Sequence, residues 1–113
     1  MSWIVLIGDE SLNIDSLTKI NHYGSMSTYT LSSKRCAVAY NNDYIYYDSA
    51  DNLLNYYDKD ESKSIPFNNP KFILMSYSSH NILKKVLSQD NFLKGVYVDN
   101  NKGNIVPIEK FIS

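Results

Sequence analysis

Cys36-Ala37-Val38-Ala39-Tyr40-Asn41-Asn42-Asp43-Tyr44-Ile45-Tyr46-Tyr47-Asp48 is the stretch on which the fold turns. Its first arm puts Cys36, Val38 and Tyr40 on one face and two alanines on the other. Its second arm sends Ile45 and Tyr47 one way and Tyr44, Tyr46 and Asp48 the other, the period-two pattern of strands with one buried face. Asn41-Asn42 between them tolerates positive φ, so the stretch predicts a β-hairpin. Working outward, Ser25 to Leu31 alternates weakly and reads as a further strand. Trp3 to Ile7 and Phe72 to Tyr77 are continuous apolar runs, the mark of strands buried on both faces. Gly95 to Asp99 and Asn104 to Ile108 form a strand pair about a turn at 100–103, and Pro107, lacking an N–H, places the last strand at a sheet edge.

Two helices are expected. In the first, over residues 11–22, Leu12, Leu17 and Ile20 share a face, with N-cap candidates in 9–13 and Gly24 as a stop. The second is capped by Ser78 or Ser79 and buries Ile82, Leu83, Val86 and Leu87, with Lys84, Lys85 and Gln89 turned to water. Asp51 to Tyr57 fits a short helix or an extended edge, and 58–64 reads as a solvated loop before a connector bracketed by Pro66 and Pro70. Together these elements predict one α+β domain over 1–113: a single mixed or mostly antiparallel sheet of five to seven strands with two helices packed against it. The pattern leaves strand order open.

The bulk properties agree. A chain of 113 residues, 43% hydrophobic and 20% charged, buries roughly 65% of the surface its unfolded form exposes, enough for a core without staples. Cys36 is the single cysteine, which removes an internal disulfide and makes the cytoplasm the expected compartment. The opening apolar run is too short for a signal sequence or a membrane span. A net charge of −1, with basic residues gathered only as Lys34-Arg35 and Lys84-Lys85, argues against nucleic-acid binding.

Groups for catalysis are few. Ser78-Ser79-His80 suits a helix cap followed by a surface histidine better than a hydrolytic site. Cys36 suits a buried thiol, and His22 suits a helix C-terminus where positive charge meets the dipole. No phosphate-binding glycine motif is present, and Gly8 stands alone after its strand. Asp99 to Gly103 lacks the ligand spacing of a calcium loop, and one cysteine with two distant histidines does not make a zinc site. The expectation is therefore no catalytic residue, no metal and no cofactor.

The remaining feature is residues 43–61, where Asp43, Asp48, Asp51, Asp58, Asp60 and Glu61 face one base, Lys59, for a local balance of −5. Tyr44, Tyr46, Tyr56 and Tyr57 lie among these acids. Tyrosine gives broad amphipathic contact area at low entropic cost, and carboxylates around it steer a basic partner. The alternative is a tyrosine-bearing sheet whose acids keep an edge soluble. With this segment and the tail Gly95 to Glu109, the chain resembles the small immunity proteins of contact-dependent inhibition and other polymorphic toxin systems of bacteria. The resemblance implies a cytoplasmic protein that neutralises a cognate toxin domain with a basic surface, in many cases a nuclease. Asp43, Tyr44, Tyr46, Asp48, Asp51, Tyr56, Tyr57, Asp58, Asp60 and Glu61 are the candidate contact residues. Competing readings are a subunit or adaptor of a larger assembly and a small enzyme.

Overall fold

The computed structural model describes residues 2–100 and 104–112. Seven strands, β1 (Ser2–Gly8), β2 (Ser27–Ser32), β3 (Arg35–Ala39), β4 (Tyr44–Ser49), β5 (Lys71–Tyr77), β6 (Tyr97–Asp99) and β7 (Ile105–Pro107), form one sheet in the order β2-β3-β4-β5-β1-β6-β7. Every neighbouring pair is antiparallel. The expected hairpin is present, with Cys36 opposite Tyr47 and Val38 opposite Ile45. Both apolar runs are central: β1 lies between β5 and β6, with Ile4, Val5, Leu6 and Ile7 all buried. Pro107 sits on an edge strand, as its missing N–H requires. Residues 101–103 of the expected turn lie outside the described residues.

Alternation divides the sheet into two faces. One buries Ile4, Leu6, Cys36, Val38, Ile45, Tyr47, Ile73, Met75 and Val98 beneath α1 (Ile14–Thr18), α3 (His80–Leu87) and α4 (Ile108–Ile112); the larger core cluster lies here. Among the described residues the four α-helices, in chain order, are α1, α2 (Lys59–Lys63), α3 (His80–Leu87) and α4 (Ile108–Ile112). Only α1, α3 and α4 supply buried side chains to that larger core. The opposite face holds a smaller cluster of Val5, Ile7, Ile65 and Phe72, lidded by Leu53, Tyr57 and Phe67.

Local sequence explains these elements, and some of it runs against expectation. α1 is shorter than the 11–22 span because Asn13 and Ser16 form a reciprocal capping box and the helix closes at Lys19. Gly24, with φ +80, instead turns the chain toward β2 well after that helix has ended. The segment 58–64 holds a helix rather than a loop: Asp58 accepts from the Glu61 backbone N–H and Glu61 from that of Asp58, and α2 (Lys59–Lys63) follows. Asp51–Tyr56 is a 3₁₀ helix. Ser79 caps α3, as its position allows. Gln89 does not face water: its side chain accepts from the Tyr23 N–H and donates to the Asn21 carbonyl, tying the end of α3 to the chain leaving α1. The returning strand expected over Asn104 to Ile108 is β7, and α4 follows it, beginning where Ile108 donates to the Val96 carbonyl at 3.0 Å.

His22 is likewise not a helix-terminal residue. It is buried at 2% exposure, and its Nδ1–H donates to the Ile20 carbonyl while Nε2 accepts from the Tyr47 hydroxyl at 2.8 Å. Burial lowers its pKa, so the neutral tautomer fits this pair of contacts. Gly8 has a packing role. A Cβ there would stand 3.0 Å from Leu12 Cβ and 3.3 Å from Val96 Cγ1, so the strand passes these residues too closely for a side chain.

Candidate functional site

The sheet face that carries the smaller core is only half covered. Register fixes what its open half shows. Tyr29, Ala37, Tyr46, Ser76 and Trp3 form one cross-strand row over β2, β3, β4, β5 and β1. Arg35, Asp48, Leu74, Val5 and Asp99 form the next row over β3 to β6. Tyr44 lies beyond Tyr46 on the same strand face, and the two rings meet edge to face at 5.5 Å. Tyr29 is 53% exposed, Trp3 and Tyr44 are each 39% exposed, and no helix among the described residues covers them. The result is an aromatic sheet surface bordered on one side by the 3₁₀ helix and α2.

The charges on this surface are largely engaged within the fold. Arg35 Nε meets Asp48 Oδ1 at 3.1 Å, and its guanidinium lies 4.5 Å above the Tyr46 ring. Asp43 sits at the hairpin end and accepts from the Ser78 hydroxyl at 2.7 Å. Asp58 and Glu61 belong to the α2 capping box, and Asp60 stands 3.9 Å from Lys63. Asp51 shares a hollow of about 300 Å3 with Lys34 and Tyr56. The segment 43–61 is therefore not one acidic patch: its centre is aromatic and neutralised, and its acids form a rim.

Among the ten residues expected at the site, Tyr44, Tyr46 and Asp48 share the open face. Asp51 and Tyr56 stand on the bordering 3₁₀ helix, with Tyr56 exposed at 80%. Asp58, Asp60 and Glu61 lie at α2, and Asp43 at the hairpin end. Tyr57 turns inward. Its ring stacks on Phe72 at 5.6 Å and its hydroxyl donates to Asp99 Oδ2 at 2.7 Å. Burial, reinforced by Asp99 and then Glu61, raises its pKa, so the phenol remains a donor. Trp3, Tyr29 and Arg35 belong to the surface but fall outside 43–61; only strand register brings them there. Their exposure was not visible in a run such as Trp3 to Ile7, which reads as wholly buried.

The groups weighed for catalysis are placed otherwise. Cys36 is fully buried and its thiol is pushed up to about 11, by burial first and then by Asp48. His80 is exposed at the start of α3, its ring 5.7 Å from that of Tyr77. Among the described residues no three His, Cys, Asp or Glu side chains come together as a metal site, and no helix is long and apolar enough to cross a membrane. No family model, curated protein or solved structure matches the chain.

Proposed function

We propose that this protein is a binding module that neutralises a toxin domain, as an immunity protein does, by docking its open sheet face on a basic surface of that domain. One observation carries the reading: four aromatic side chains, Trp3, Tyr29, Tyr44 and Tyr46, share a sheet face that the fold leaves uncovered. Partly exposed tyrosine and tryptophan on a rigid sheet lose little entropy on contact, which is why such residues dominate interface energetics. The choice of a basic partner rests on charge: residues 43–61 carry −5 and the remainder +4. With Asp48 held by Arg35, the steering charge comes from Asp51, Asp58, Asp60 and Glu61 at the rim. The partner would be a nuclease-type toxin domain met in the cytoplasm.

The test is calorimetric titration against a toxin domain that co-purifies with this chain. Tyr29→Ala and Tyr44→Ala, at side chains outside the core, should each weaken binding at least about tenfold. Asp51→Lys with Asp60→Lys should slow association and reduce its salt dependence while changing dissociation little. Undiminished affinity in the double tyrosine variant would remove the proposed surface.

A further inference from the structure

At the boundary between the covered and open halves of this face lies a hollow of about 170 Å3, lined by Trp3, Val5, Leu53, Tyr56, Tyr57, Glu61 and Asp99. Three aromatic rings and two carboxylates therefore meet over an aliphatic floor. Trp3 is half-exposed and Tyr56 stands in solvent, while Tyr57 is held by Phe72 and Asp99. Glu61 is half-buried and accepts from the Asp58 N–H through Oε1, which fixes its carboxylate beside the hollow. Aromatic walls with negative charge between them attract a cation through the ring faces and neutralise it through the carboxylates.

The same face already shows how it treats such a group. Four strands away in the sheet order from β6, the Arg35 guanidinium stands 4.5 Å over the Tyr46 ring and bonds Asp48, a carboxylate in the same cross-strand row as Asp99. There a ring and a carboxylate hold a guanidinium together, and at the hollow Trp3 and Tyr56 stand beside the Glu61 carboxylate. We infer that the hollow lined by Trp3, Tyr56, Tyr57 and Glu61 is the anchor pocket for an arginine side chain of the partner protein. Arginine is favoured over lysine because a planar guanidinium stacks on ring faces and presents a fork of donors to carboxylates. This inference rests on the proposed docking face and names the group that the face would capture.

Trp3 is the only tryptophan, so its fluorescence reports on the pocket directly. The full chain is titrated with N-acetylargininamide, with N-acetylcitrullinamide as the uncharged isostere and N-acetyllysinamide as the non-planar cation. The arginine derivative should give a saturable response with a midpoint on the order of 10 mM. The citrulline derivative should bind about tenfold more weakly, and the lysine derivative should fall between them. Glu61→Gln keeps a capping-box residue at its position and should weaken the arginine midpoint roughly fivefold. Tyr56→Ala, at an exposed side chain, should weaken it as well, whereas Tyr29→Ala should leave it unchanged. An absent saturable response, an equal response to citrulline, or an unchanged midpoint in Glu61→Gln overturns the pocket. If the pocket fails while Tyr29→Ala and Tyr44→Ala still weaken the toxin domain, the docking face stands without it. If arginine binds but those tyrosine variants bind the toxin domain normally, the docking reading falls instead.

Discussion

His22 and Tyr47 lie 25 positions apart and share one hydrogen bond in the core. The neutral imidazole satisfies both contacts, with Nδ1–H donating to the Ile20 carbonyl and Nε2 accepting from the Tyr47 hydroxyl. Desolvation lowers the native pKa below the ordinary 6.5. Above that value both folded and unfolded chains hold a neutral ring, and the stability due to neutral His22 is complete. Below it the unfolded chain takes up a proton that the native chain resists, so stability falls as pH drops toward the lowered native value. Urea unfolding between about pH 7.5 and about pH 5.5 should show this loss, and His22→Gln should flatten it. An identical slope in the variant would mean that another group sets the acid sensitivity. Nearby, the Tyr40 hydroxyl is buried with no hydrogen-bond partner among the described residues, and burial, with Asp43 second, pushes its pKa up to about 12.

At the scale of elements, the capped helices α2 and α3 have different structural roles. α3 buries Ile82, Leu83, Val86 and Leu87, so loosening its first turn disturbs the main core. α2 buries none of its residues. Ser79→Ala should therefore cost about 1 kcal/mol of global stability in chemical unfolding. Asp58→Ala should leave the unfolding midpoint nearly unchanged while loosening the turn that holds Glu61; an equal loss in both variants would contradict this division. The sequence shows the α3 cap, because a cap is a contact across three residues. It shows less of α2, since a five-residue charged segment without an apolar stripe reads as solvated loop until Asp58 and Glu61 are seen to reach each other. Gln89 escaped for the opposite reason: helical spacing turns it outward, and only the returning segment at Asn21 and Tyr23 encloses it.

Across the whole molecule, cooperativity should follow the sheet order. β1 is paired on both sides and packed on both faces, whereas β2 has one strand partner and is almost wholly exposed. Native-state hydrogen exchange should find the slowest amides in β1 and β5 and the fastest strand amides in β2. Protection in β2 equal to that in β1 would indicate that its outer edge is covered in solution. The sequence by itself determined which segments become strands, which side of each hairpin arm is apolar, and where α3 is capped, because alternation and capping act over two to four residues. Only the tertiary structure decided that β1 lies between β5 and β6, that Asp48 pairs with Arg35, and that the covering layer stops short of Trp3, Tyr44 and Tyr46. It also turned Tyr57 inward and brought Trp3, Glu61 and Asp99 to one hollow. Those outcomes depend on register and packing between distant segments, for which local sequence carries no periodic signal.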